Sequence, residues 1–193
     1  MIRALYDKTL EWSGHRHAIW ILAAVSFTES SFFLIPPDLL LIPMVLAMRT
    51  QWFKIAFVCT VSSVLGGLFG YFIGATLFEE LGRPILEMYN AVEIFAAATE
   101  AYNKDGALIV FTAGFSPIPY KIITIASGVA AMDPVTFTLA SIVGRGARFF
   151  LVAILLWKFG KPIQAFIEKR LGLLTLLFCV LLVGGVIVLK VLT

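Results

Sequence analysis

The chain has 193 residues, a net charge of +3, 60% hydrophobic residues, 14% charged ones and a mean hydropathy of +0.96. A soluble domain is roughly 45–50% apolar, so a soluble globular protein is excluded, and with no basic face or motif so is a nucleic-acid binder. Apolar runs at 19–47, 55–78, 106–131, 134–157 and 171–189 are long enough to meet a bilayer. The expected class is an all-α, multi-pass integral membrane protein.

Arg3, Asp7, Lys8, Glu11, His15, Arg16 and His17 crowd the first residues, which argues against a cleaved signal peptide. Over residues 1–16, Ile2, Leu5, Tyr6, Thr9 and Leu10 share one helical side, the pattern of a helix on the membrane surface or packed on the protein's own spans. His15 and His17 have no carboxylate or cysteine cluster nearby and read as loop histidines; no metal or other cofactor is expected. Cys59 and Cys179 lie in apolar runs without CxxC spacing and read as small buried hydrophobes.

Residues 19–47 are broken by Pro36-Pro37, which remove two backbone donors. The arms, 19–34 and 39–48, would be about 24 and 15 Å long, too short to cross a ~30 Å core comfortably. A re-entrant hairpin and a kinked span are the two options, and either needs protein or water to satisfy the freed backbone groups. A polar turn from Met48 to Lys54 follows, then a span over 55–78 whose Gly66, Gly67, Gly70 and Gly74 invite close helix packing. Pro84 is expected to open an acidic amphipathic helix over 83–104, with Ile85, Tyr89, Val92, Phe95 and Tyr102 on its apolar side. Residues 106–131 are broken by Pro117-Ile118-Pro119, and a span from Asp133-Pro134 to Trp157 carries Gly144-Arg145-Gly146-Ala147-Arg148. A surface piece, Pro162 to Arg170, precedes a featureless last span at 171–189.

The two glycine-bearing spans resemble each other at a fixed offset. Ser63-Val64-Leu65-Gly66 matches Ser141-Ile142-Val143-Gly144, and Gly82-Arg83-Pro84-Ile85 matches Gly160-Lys161-Pro162-Ile163. The expected organisation is one membrane domain: an N-terminal amphipathic segment 1–18, repeat one 19–82, an amphipathic helix 83–104, repeat two 105–160, and 161–193 with a surface segment and C-terminal transmembrane helix. If each broken segment returns to the side it came from, the two units are inverted, as in many transporters. Arg3, Lys8, Arg16, Arg49, Lys54, Lys158, Lys161, Lys169 and Arg170 then share the first side, against Arg83, Lys104 and Lys190 on the other. That bias puts the N-terminus in the cytoplasm.

Five ionisable residues remain at membrane depth: Glu29, Asp38, Lys121, Arg145 and Arg148. At about 2.5–3.5 kcal/mol per central charge, they must pair, protonate or face water. Arg145, Arg148 and Lys121 suit an anionic head group, and Glu29 and Asp38 suit proton traffic. No HExxH, GxSxG or Walker loop is present, so an enzyme is not expected; a Ser116–Lys121 dyad is the weak exception.

Glu29 with Pro36-Pro37-Asp38, the run Gly70-Tyr71-Phe72-Ile73-Gly74, and Phe115-Ser116-Pro117-Ile118-Pro119-Tyr120-Lys121 with Gly128 resemble the DedA superfamily, which carries the VTT (SNARE-associated Golgi protein) domain, in its YqaA-like bacterial branch. The resemblance covers about 20–158. It implies two re-entrant hairpins at Pro36, Pro37, Pro117 and Pro119, inverted repeats, and a place in the bacterial inner membrane. It also implies a role in membrane homeostasis: movement of undecaprenyl phosphate in bacteria and phospholipid scrambling in eukaryotic relatives, with proton dependence at the acids, here Glu29 and Asp38. Gly114 stands where many members have an arginine, and Arg145 and Arg148 are candidates to compensate.

The expected function is a flippase-like transporter of an anionic lipid, such as a polyprenyl phosphate or phospholipid, with protons as coupling ion. Its partners would be membrane lipids and no nucleic acid, and a homo-oligomer is left open. The rivals are a proton-coupled small-solute carrier and a non-transport assembly factor or chaperone. A groove open sideways to lipid would favour the first, a closed aqueous cavity the second, and a solid core with paired charges the third.

Overall fold

The computed structural model describes residues 17–32, 35–88, 92–116 and 119–160. The expected helix over 1–16, the surface piece from Pro162 to Arg170, the last span at 171–189, Cys179 and Pro117 lie outside the described residues. Among those described there is helix and no strand, as apolar segments that must satisfy their own backbone groups require.

The first broken segment forms α1, Ala18–Ser31, and α2, Asp38–Ala47. Pro36 and Pro37 sit between them, and Pro37, at φ −65°, is already set for the first turn of α2. A short 3₁₀ turn, Arg49–Gln51, leads into α3, Trp52–Leu77, so the polar turn expected up to Lys54 ends sooner. A π turn, Phe78–Gly82, joins α3 to α4, Arg83–Met88. Then come α5, Val92–Phe115, α6, Tyr120–Val129, and α7, Pro134–Gly160. The stretches Arg49–Glu80 and Pro134–Gly160 are long and apolar enough to cross a membrane.

Two expectations about these elements are corrected. Pro84 does stand in the first turn of a helix, α4, but no loop precedes that helix. The long span runs on into it, and the wider π turn, in which the Arg83 amide donates to the Phe78 carbonyl, makes room for the proline ring. Nor does the helix expected over 83–104 end before the next arm. α5 runs unbroken through Asp105-Gly106, because one helical glycine costs only about 1 kcal/mol and Gly106 packs directly on the Met132 side chain.

The long helices lie side by side and antiparallel. Trp52 stacks on Trp157 with ring centroids 5.6 Å apart, Ser63 meets Arg145, and the Tyr71 and Phe137 rings stand 5.3 Å apart. α1 runs parallel to the first half of α3. Ser26 Oγ donates to the Cys59 carbonyl at 2.8 Å, Ser30 and Ser63 share a 2.7 Å hydrogen bond, and Ser31 Oγ donates to the Gly66 carbonyl at 2.9 Å. α2 then carries the chain back, since Leu41, Met44 and Val45 share an apolar cluster with Ala18, Leu22, Ile55 and Cys59. Phe149, Ala153 and Leu156 of α7 close that cluster.

A second apolar cluster, at the other end of the long helices, joins Tyr71, Val110, Ala113, Tyr120, Met132 and Phe137. Glycines set these packings. A Cβ at Gly66 would stand 2.1 Å from the Phe27 carbonyl oxygen, and one at Gly144 would stand 2.7 Å from that of Phe111. Gly74 and Gly128 likewise admit the Ile125 and Tyr71 carbonyls between α3 and α6. Between the two clusters lies a buried polar layer.

Candidate functional site

The polar layer is built where α3, α7 and the two breaks meet. Along α1, Ser26 and Ser30 are one turn apart and face α3, which turns Glu29 towards α7. Arg145 is 3% exposed, and its Nη2 donates to Glu29 Oε2 at 2.7 Å. Its Nε donates to Ser63 Oγ at 2.5 Å, and Nη2 also reaches Ser30 Oγ at 3.4 Å. The guanidinium carbon lies 4.9 Å from the Tyr120 ring centroid and 4.6 Å from that of Phe149. Hydrogen bonds and ring contacts together replace the water this cation has lost.

One helical turn on, Arg148 Nη2 donates to Asp38 Oδ2 at 2.6 Å, and Nη1 donates to the Ser116 carbonyl at 2.6 Å. Asp38 is in the first turn of α2 and Ser116 directly follows α5, so Arg148 ties together the two breaks. This pair is more open, with side chains 18% and 20% exposed. Lys121 is in the first turn of α6, and its carbonyl accepts from the Thr124 hydroxyl, which also donates to the Ser30 carbonyl next to Glu29. All five charged residues singled out from the sequence are therefore in one layer. Of the proline breaks, Pro36, Pro37 and Pro119 flank it. Among the described residues no group of three or more His, Cys, Asp and Glu side chains could hold a metal.

The sequence reading missed the hydroxyls. Ser30 and Ser63 anchor Arg145, and Thr124 Oγ1 donates to the Ser30 carbonyl at 3.2 Å, joining α6 to α1. Tyr120 donates to Ser141, and Tyr71 Oη donates to the Met132 carbonyl at 2.6 Å. The available signal was polar residues three or four apart on one face of an apolar helix, as at Ser26 and Ser30 or Thr60 and Ser63. Gly114 is explained by contact: a Cβ there would be 3.3 Å from the Arg145 amide nitrogen. α5 lies against α7 at that point, and the cations come from α7 itself.

Residues 35–158 match the family model of the VTT domain, which is more than half of the chain. The chain belongs to the VTT-domain family. This is the family that the motifs around Pro36-Pro37-Asp38 and Ser116 to Lys121 resemble. The VTT match takes in Asp38, Lys121, Arg145 and Arg148, while Glu29 precedes it. An uncharacterized protein of Haemophilus influenzae is 41% identical over 188 residues, covering 96% of each chain. An uncharacterized protein of Histophilus somni is 37% identical over 167 residues, covering 86% of this VTT-domain chain and 87% of the relative. No solved structure matches. The family and the two long apolar helices are consistent with a membrane protein.

Proposed function

We propose that this VTT-domain membrane protein is a carrier rather than an enzyme, flippase-like, moving an anionic lipid such as a polyprenyl phosphate or phospholipid across the bacterial inner membrane. The observation that carries the reading is the pairing of two α7 arginines with two carboxylates of the first broken segment, midway between two apolar clusters. Charge is costly at that depth, and such a layer is the expected place for a transported anion or proton. Arginine offers phosphate the same planar fork it offers a carboxylate. Protonation of Glu29 or Asp38 would weaken its pair and free an arginine, which couples protons to anion binding.

The path for a lipid is supported by an open-sided cavity of about 530 Å³ between α5 and α6, walled by Phe95, Tyr102, Ile122, Ile125, Ala126 and Val129. It is almost wholly apolar. In the topology that goes with this reading, α1–α2 and α5–α6 are re-entrant hairpins, and α3 and α7 cross the membrane in opposite directions as the spans of an inverted repeat. Arg49, Lys54 and Lys158 at the Trp52–Trp157 end support a cytoplasmic face there, hence a cytoplasmic N-terminus. Glu79, Glu80 and Asp133 gather at the other end.

One observation favours the non-transport reading: both arginines are already paired, as in a network that only holds the segments together. Reconstitution into liposomes decides between them. Purified protein is expected to move a fluorescent lipid phosphate between leaflets faster than protein-free vesicles do, and faster across an imposed proton gradient. Movement no faster than in empty vesicles would leave the structural reading, and movement of soluble anions instead would mark a solute carrier.

A further inference from the structure

We propose that the two arginine–carboxylate pairs have different roles: Arg148 with Ser116 binds the phosphate of a lipid head group, Asp38 is the internal anion this phosphate displaces, and Arg145–Glu29 is a fixed joint. This rests on the transport reading and narrows the head-group site to one of its three cations.

The two environments differ in kind. Arg145 is enclosed, held at Nε and Nη2 by Ser63, Ser30 and Glu29 and flanked by the Tyr120 and Phe149 rings. A ligand reaching it would have to break several hydrogen bonds spread over α1 and α3 and push both aromatic rings aside. Arg148 is held by the Ser116 carbonyl and the Asp38 carboxylate. The carbonyl keeps Nη1 in place, while Nη2 points at a group that a phosphate oxygen can replace without moving the arginine.

Ser116 provides the second observation. Its hydroxyl oxygen is buried and has no hydrogen-bond partner among the described residues, although its carbonyl is engaged by Arg148. A buried hydroxyl left unpaired is unfavourable and uncommon. A phosphate seated on Arg148 would give that hydroxyl an acceptor. Asp38 then resembles a lid of the same sign of charge as the ligand: it satisfies Arg148 when the site is empty and swings away when the phosphate arrives.

The test uses the full chain in detergent or nanodiscs, with dihexanoylphosphatidic acid as the lipid probe and inorganic phosphate as the head-group-only probe. Asp38→Asn removes the competing anion and is expected to tighten the lipid probe about tenfold. Ser116→Ala is expected to weaken it several-fold. Glu29→Gln is expected to lower the melting temperature and to give no tightening. The proposal is overturned if Asp38→Asn binds no tighter than wild type, if Glu29→Gln tightens the probe as much, or if Asp38→Asn cannot be recovered folded. Inorganic phosphate binding as tightly as the lipid would overturn the assignment to a lipid. If lipid phosphate is moved in liposomes but Asp38→Asn leaves affinity unchanged, only this division of roles falls. If no variant binds or moves either probe, the transport reading falls with it.

Discussion

Gly66 of α3 and Phe27 of α1 touch backbone to backbone, so closely that a Cβ at 66 would lie 2.1 Å from the Phe27 carbonyl oxygen. Gly144 of α7 stands in the same relationship to Phe111 of α5, with 2.7 Å to the carbonyl. Gly66 and Gly144 are also the residues matched between the similar stretches Ser63 to Gly66 and Ser141 to Gly144.

Gly66→Ala should therefore move α1 off α3 and pull Ser30 away from Ser63. Overpacking against a backbone that cannot yield costs about 1–3 kcal/mol. The expected result is a lower melting temperature for Gly66→Ala and Gly74→Ala, and little change for Gly146→Ala, whose Cβ would meet only Thr60 at 3.6 Å. Equal melting temperatures for all three would contradict the close packing described for α3.

Arg145→Ala and Arg148→Ala should separate in their effects. Removing Arg145 leaves Glu29 buried without its cation, and breaking a buried pair costs about 3–5 kcal/mol. Its membrane level is expected to fall. Arg148→Ala leaves a more open carboxylate and should accumulate normally while losing lipid movement. Immunoblots of membranes beside a flipping assay check this, and normal levels for Arg145→Ala would make Arg145 a functional cation rather than a joint.

Orientation can be read by cysteine labelling in a variant with Cys59 and Cys179 replaced. Thr50→Cys and Lys158→Cys should react with a membrane-impermeant maleimide only from the cytoplasmic side. Glu80→Cys and Asp133→Cys should react only from the other side. Labelling of Thr50 and Glu80 positions from the same side would mean that α3 does not cross.

Asp133 caps α7: its Oδ2 accepts from the Thr136 hydroxyl and from the Thr136 amide, both at 2.7 Å. The hydroxyl first, and then the amide, hold its carboxyl below the usual carboxylate range. A folded-state value below the unfolded one stabilises the fold above the unfolded value, and that contribution is lost as pH falls through the folded value. Asp133→Ala should thus melt below wild type at neutral pH, with the gap closing in acid. A gap that stays constant down to strongly acidic pH would remove the carboxylate from the cap.

The chain's apolar runs, its proline breaks and its glycine-bearing spans were legible because each is a local property. Helix is the way such runs satisfy their backbone in lipid, and closely spaced prolines interrupt it, as between Ser31 and Asp38. The five charged residues were legible for a related reason, since charge within an apolar run is too costly to be incidental. Two local signals misled. Pro84 suggests a fresh start and the expected helix stops at 104, but a π turn and the packing of Met132 carry helix past both points.

Partners were not legible. Nothing in the spacing of the chain says that Arg145 meets Glu29 and Arg148 meets Asp38, across separations of 116 and 110 residues. Nor does it say that Ser30 and Ser63 fix one arginine while the other keeps a replaceable anion. The order of residues is enough to require an all-helical membrane chain with proline-broken segments and a set of charges needing company. Which charge answers which emerges only in three dimensions, because it depends on how closely α1 and α6 approach α3 and α5 approaches α7, and that closeness is set by glycines whose contacts lie far away in the chain.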